Sequence, residues 1–303
     1  WRQSRQKALF EGARLPGYDG YILSGNWAVF AAARHRPNLW YCYTPVRVFY
    51  DLREPFLAGL SPWSRWAARR WIARVRPEYE AVATSVDRIV VLSRNVQDRV
   101  RRYLGREAEI AYPPVDVSRY RFHRVGDFWL SVNRLSHEKR LGLQVDAFRR
   151  LPDERLVVVG GPQMGVDAQR LVRSLDPPPN VTFVGEVDEP RLLELYATCR
   201  GLIATSIEED FGLTPVEAMA SGKAVVAVDE GGYRESIVPG ETGWLVPPAA
   251  ADLAEAIQGI DPDRLTSMRA ACRERAEAFD VSRFVARMRG FIEEGGPRPK
   301  GVP

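Results

Sequence analysis

Two carboxylates, Glu209 and Glu217, bracket the run Asp210-Phe211-Gly212-Leu213-Thr214-Pro215-Val216. An apolar stretch at 200–206 precedes them and an amphipathic one follows, so they stand where a strand gives way to a helix. A helix start carries unpaired N–H groups and the positive end of a dipole, which suits a phosphate. Gly212 lets a ligand come close to the backbone there. Carboxylates are poor partners for phosphate and good acceptors for sugar and ribose hydroxyls. The combination suits a sugar–diphosphate–nucleoside better than a bare phosphate. A plainer reading stands beside this one. Thr214, Pro215 and Glu217 fit the N-cap, N1 and N3 positions of a capping box, in which Glu217 would only finish the helix.

A second group follows another apolar stretch, 128–133: Asn133-Arg134-Leu135-Ser136-His137-Glu138-Lys139-Arg140. Arg134 and Lys139 could neutralise a diphosphate and stabilise it as a leaving group. The alternative is a solvated basic loop. Only 4 of the 43 basic residues are lysines, and Lys139 is one of them. A compact ammonium in a chain that otherwise uses arginine favours the phosphate reading. Gly160-Gly161 and Glu230-Gly231-Gly232-Tyr233 end two further apolar runs. Each reads either as a tight turn or as a place where backbone amides face a ligand.

These groups need a scaffold. From about residue 128 short apolar strands alternate with helical segments. The strands read at 128–133, 155–161, 181–186, 200–206, 224–229 and 243–247, and the helices near 141–150, 166–175, 189–198 and 214–221. Unbroken Val/Ile/Leu strands between amphipathic helices predict a parallel sheet covered on both faces, in a Rossmann-like α/β lobe. Ligands on such sheets bind at the carboxyl ends of strands, where all four groups fall. Four more strands read at 19–24, 38–44, 87–93 and 108–112, ahead of the linker Tyr112-Pro113-Pro114-Val115-Asp116. The expected division is a first lobe over 1–116, a second over 117–283, and a C-terminal helix and tail over 284–303 that could pack back on the first lobe. The chain opens on Trp1, and the first lobe shows four strands against six, so an opening βαβ is expected to be missing.

Length and composition agree with two α/β domains. The chain has 303 residues, 45% hydrophobic and 27% charged, which excludes disorder and collagen-like structure. No apolar run is long enough for a membrane span. Three scattered cysteines without histidine partners argue against a disulfide scaffold or a zinc site and fit a reducing, cytoplasmic setting. The net charge of +4 is uneven. Residues 1–120 carry 20 basic and 11 acidic residues, a net of +9, and the remainder carries 23 and 28, a net of −5.

The segment EDFGLTPVEAMASGKAVVAVDEGG resembles the E-x7-E region of the family-4 retaining glycosyltransferases of the GT-B fold. RLSHEK, VVVGG, FVGEV, GGYRE and TGWLV follow the same family's order over about residues 85–295. WYCYTPVRVFYD is similar to the YCHTP-R signature of its mannosyltransferase-like members. The resemblance implies two Rossmann-like lobes with parallel sheets facing across a cleft, and a nucleotide-sugar donor held by the second. By that likeness Arg134 and Lys139 hold the diphosphate with the amides of Gly212, Leu213 and Thr214. Glu209 contacts sugar hydroxyls, Glu217 the ribose, and the Val187 backbone lies near the base. Gly160, Gly161 and Phe211 complete the donor side. No metal or other cofactor is implied, and the reaction retains anomeric configuration by front-face attack. The implied function is transfer of a hexose, mannose from GDP-mannose, to a glycan or lipid-linked acceptor. A UDP-sugar glucosyl-type transferase and a non-catalytic nucleotide-sugar-binding paralogue are the alternatives. The family's Gly-rich opening loop is not found here. Its signature histidine is replaced by Tyr43, whose phenol is a poor base at neutral pH. Arg47 and Asp51 match the signature, as an acceptor site or a surface ion pair.

One stretch lies outside the resemblance. Residues 61–76 read as a helix with three tryptophans and five arginines. Trp63, Trp66, Ala67 and Trp71 would share one face, with Arg65, Arg69 and Arg76 turned away. The face suits either a lobe core or an anionic membrane surface reached peripherally from the cytoplasmic side. No nucleic-acid reading motif accompanies the charge.

Overall fold

The computed structural model describes residues 2–163 and 167–295. Trp1, residues 164–166 and the 296–303 tail, on which some expectations fell, lie outside the described residues. The chain forms two compact units, Pro113–Phe284 and a unit made of the residues before Pro113 together with those from Val285 onward.

The first unit holds a parallel sheet in the order β1-β2-β3-β4, with β1 at Tyr21–Ser24, β2 at Asn38–Cys42, β3 at Arg88–Val91 and β4 at Glu109–Ile110. Every residue of β2 is buried, as a strand covered on both faces requires. Around the sheet lie α1 (Arg2–Gly12), α2 (Arg53–Ala58), α3 (Pro62–Ala83) and α4 (Arg94–Leu104). Helix α3 sends Ile72, Val75, Tyr79 and Ala83 into the core, where Trp40, Phe49 and Phe30 join them. The Ser61 hydroxyl caps it by accepting from the Ser64 amide. The helix runs past Arg76 and through Pro77. Pro77 stands four residues after the exposed Ala73, so the carbonyl it leaves without an N–H partner belongs to the outer face.

The second unit is a six-stranded parallel sheet. Its strands are β5 (Phe128–Val132), β6 (Arg155–Val159), β7 (Val181–Gly185), β8 (Gly201–Ala204), β9 (Val225–Val228) and β10 (Gly243–Val246). Helices α5 (Leu141–Arg149), α6 (Ala168–Leu175), α7 (Glu189–Thr198), α8 (Leu213–Ala220) and α9 (Tyr233–Ser236) connect them, and α10 (Ala250–Gln258) follows the last strand. Helices α11 (Pro262–Ser267), α12 (Arg269–Glu277) and α13 (Val281–Gly295) end the described chain. The ten strands among the described residues fall where the apolar runs predict them.

The strand order is β10-β9-β8-β5-β6-β7. The chain leaves β5 toward one edge of the sheet and leaves β8 toward the other. That reversal is a topological switch point, and the crevice outside the carboxyl ends of β5 and β8 is where such sheets take ligands. Both strands are anchored by buried side chains, among them Trp129, Leu130, Leu202 and Ile203. The loops that leave them therefore start from fixed points.

Candidate active site

The loop after β5 carries residues 133–140 and the loop after β8 carries 205–212, so the switch point brings together two of the sequence groups. The Lys139 ammonium donates to Oε2 of Glu209 at 2.5 Å. Both side chains are largely buried. Burial pushes the Glu209 carboxyl up. The Lys139 charge and hydrogen bond, with the Asp210 amide, outweigh it and hold the carboxyl below its ordinary value. The backbones are joined as well. The Ile207 amide donates to the Glu138 carbonyl at 2.8 Å. The Thr205 hydroxyl donates to the Lys139 carbonyl at 2.8 Å and accepts from the Gln144 amide at 2.7 Å.

A third loop closes the group. Arg140 forks onto Glu230 at 2.8 and 3.1 Å, and the Glu208 amide donates to the same carboxylate at 3.3 Å. Arg140 is itself left-handed, with φ 48°. The Gly231-Gly232 pair serves packing. The Gly232 amide donates to the Glu209 carbonyl at 2.8 Å, and a Cβ on Gly232 would run into the Phe211 backbone. The Gly232 amide is thereby taken up inside the protein.

The capping-box reading of Glu217 is corrected. Helix α8 begins at Leu213, one residue before Thr214, with Gly212 as its N-cap at φ 87° and no side-chain cap. Thr214, Pro215 and Glu217 are then the second, third and fifth helical residues. Glu217 cannot reach back to the first turn and instead faces α7, where it accepts from the Tyr196 hydroxyl at 2.6 Å. The Tyr120 hydroxyl and the Arg119 charge also favour its ionised form, but burial is the larger effect and raises the carboxyl above its ordinary value. A helix start without a side-chain cap leaves first-turn amides open to an anion.

The remaining predicted residues take various places. Phe211 is 2% exposed, with its ring 5.1 Å from that of Phe279, so its side chain anchors the loop. Leu213 is exposed and Thr214 half-buried; Arg134 is exposed at the end of β5 and Val187 half-buried after β7. Gly160 lies against the Asn133 backbone, with no room for a side chain, and Gly161 against the movable Glu186 side chain. In the first unit Tyr43 follows β2, is 46% exposed, and shares a 2.9 Å hydrogen bond with the Ser24 hydroxyl. Arg47 donates to Asp51 at 2.7 and 3.0 Å. Among the described residues no group of three or more His, Cys, Asp and Glu could hold a metal ion.

Tyr196 and Tyr120 stand beside Glu217, and the residue pattern does not point to either of them. Tyr196 reads as an apolar helix position and Tyr120 as part of the linker. The packing of α7 beside α8 brings the Tyr196 hydroxyl to Glu217, and the segment after residues 117–119 brings that of Tyr120.

Solved structures define the class. The sucrose-phosphate synthase of Thermosynechococcus elongatus superposes with a TM-score of 0.73 at 22% identity, over 90% of this chain and 73% of that one. Anabaena Alr3699/HepE in complex with UDP and glucose gives 0.73 at 20% identity, over 96% and 80%. The fold is that of the GT-B glycosyltransferases. The family described as "Glycosyl transferases group 1" matches residues 124–279, and the chain belongs to it. The alpha-1,3/1,6-mannosyltransferase ALG2 of Dictyostelium discoideum is 32% identical over 178 residues, covering 52% of this chain and 42% of the relative. A D-inositol 3-phosphate glycosyltransferase 1 of Catenulispora acidiphila is 31% identical over 263 residues, covering 72% and 61%. The chain thus spans roughly half the length of such relatives.

Proposed function

We propose that this chain transfers a hexose, mannose from GDP-mannose, to a glycan or lipid-linked acceptor with retention of configuration. The observation that carries the reading is the Lys139–Glu209 pair at the switch point, beside a helix start that no side chain caps. The likeness to ALG2-type mannosyltransferases supports mannose as the sugar.

In this reading the diphosphate sits against the α8 amides of Gly212, Leu213 and Thr214, with Lys139 and Arg134 neutralising its charge. Charge builds on the diphosphate as the sugar leaves, so these donors act where they are worth most. Lys139 then turns from Glu209 toward the phosphate, and the freed carboxylate accepts from sugar hydroxyls. Glu217, steadied by Tyr196, accepts from the ribose. Gly160, Gly161 and the Val187 backbone line the base and sugar ends. The acceptor hydroxyl attacks from the face the phosphate leaves, and the phosphate takes its proton, so neither a metal nor a histidine base is used. Tyr43, Arg47 and Asp51 are the proposed acceptor contacts.

A UDP-sugar donor is the second reading, favoured by the UDP and glucose of the Anabaena neighbour. A thermal-shift series with GDP-mannose, UDP-glucose and their free nucleotides, followed by transfer and hydrolysis assays with and without EDTA, tests both. The expected result is a Tm rise selective for GDP-mannose and EDTA-resistant turnover. Selective stabilisation by UDP-glucose moves the donor to UDP. Binding without any turnover makes the chain a nucleotide-sugar-binding module.

A further inference from the structure

Helix α3 presents a solvent face that the fold leaves bare. Its inner side is buried, but Trp63 is 77% and Trp66 55% exposed, and their rings form an edge-to-face pair 5.7 Å apart. A shallow hollow lined by Pro62, Trp63 and Trp66 opens beside them. Arg70 and Arg74 follow at helical spacing on the same side. Arg70 lies over the Trp66 ring at 5.3 Å, and the Arg74 side chain is 83% exposed, with its Nε 3.6 Å from the Glu78 carboxylate.

The grouping differs from the one expected from the sequence. Trp71 turns inward, its indole N–H on the Ser4 hydroxyl at 3.0 Å and its ring 5.5 Å from Phe49. Arg65 is spent on the carbonyls of Leu57, Ala58 and Leu60. What is left outside is two indoles with two guanidinium groups on one face, rather than tryptophans opposite arginines.

We propose that the first four turns of α3 form a docking face for an anionic lipid surface, with Trp63 and Trp66 entering the headgroup boundary and Arg70 and Arg74 pairing with lipid phosphates. Indoles settle at that boundary because one edge is polar and the body apolar. Arginines beside them add attraction to anionic headgroups without leaving water. The first 120 residues carry the +9 net charge that would draw the face toward such a surface. A single-stranded nucleic acid fits less well, because Arg70 already covers the Trp66 ring face on which a base would stack. The proposal goes beyond the transfer reading and does not depend on it.

Co-sedimentation of the full chain with vesicles of phosphatidylcholine containing roughly 30 mol% phosphatidylglycerol, at low salt, tests it. Binding about tenfold stronger than to pure phosphatidylcholine is expected, falling as salt is raised. W63S/W66S should lose about tenfold and R70Q/R74Q several-fold, with circular dichroism showing each variant folded. The proposal is overturned if the wild-type chain ignores anionic vesicles, if W63S/W66S binds as well as wild type, or if a single-stranded oligonucleotide is bound in place of vesicles.

Discussion

The Lys139 ammonium and the Glu209 carboxylate, 70 positions apart in the chain, meet at 2.5 Å across the point where the second sheet reverses its winding. Each is the other's counter-ion in a largely buried place. In the proposed reaction the same two groups serve the donor, one on its phosphate and one on its sugar. In that proposal the ion pair is the resting form of the donor-binding groups.

Removing one partner leaves a buried charge alone. Lys139→Met should therefore destabilise the unit by about 3 kcal/mol and abolish transfer. Lys139→Met with Glu209→Gln should recover much of the stability and none of the activity. Denaturant unfolding of the two single variants and the double variant reads the coupling. Additive losses would mean the pair does not stabilise the fold.

Glu217 should behave in the opposite way. Its carboxyl is raised by burial, so between its ordinary value and its folded one the native state binds more protons than the unfolded state. Stability then falls as pH rises through that window, and the full cost is reached above the folded value. Glu217→Gln should unfold at a higher temperature than wild type at pH 7 and lose that advantage near pH 4. Its nucleotide-sugar-induced Tm shift should shrink, because a ribose acceptor has been weakened. An unchanged ligand shift would remove Glu217 from the donor site.

Lys223 gives a second pH signature. It is 1% exposed, donates to the Cys199 carbonyl at 2.8 Å and to that of Arg124, and lies over the Phe122 ring. Burial brings its pKa down to about 8. Between about 8 and its ordinary value the unfolded chain holds the extra proton, so this group makes stability rise with pH there. Lys223→Met should flatten the rise measured between pH 7 and pH 10 relative to wild type.

Gly212 and Gly232 should tolerate alanine poorly, for different reasons. At Gly212 the φ of 87° is strained for alanine, and the new Cβ would stand 2.6 Å from the Tyr233 ring. The expected cost is about 1–3 kcal/mol. At Gly232 the obstruction is the Phe211 backbone, which cannot swing away. Gly232→Ala should cost more than Gly212→Ala by chemical denaturation and should also disturb the Glu209 loop.

Much of the fold is legible in the sequence, because each strand of a covered parallel sheet is a short unbroken apolar run and each run is bounded by a helix pattern. The carboxyl ends of those strands locate Arg134, Lys139, Glu209 and Gly212 without any coordinates. Local spacing misled where the helix start was one residue off. Thr214-Pro215-Val216-Glu217 has the form of a capping box, but Gly212 begins the turn earlier and carries Glu217 round to α7. Spacing also grouped Trp71 with Trp63 and Trp66, since a periodic pattern shows which residues share a face but not which side of that face the core covers.

The amino-acid sequence by itself determined the α/β class, the strands and the loops that could carry charge. Those follow from residue type and period, which are local. Only the tertiary structure decided which charges meet. Strand order placed β5 beside β8 and so paired Lys139 with Glu209. Helix packing gave Glu217 its partner Tyr196, and the burial of one side of α3 left Trp63, Trp66, Arg70 and Arg74 together in solvent. Each of these depends on elements far apart in the chain, and local pattern carries no record of such distances.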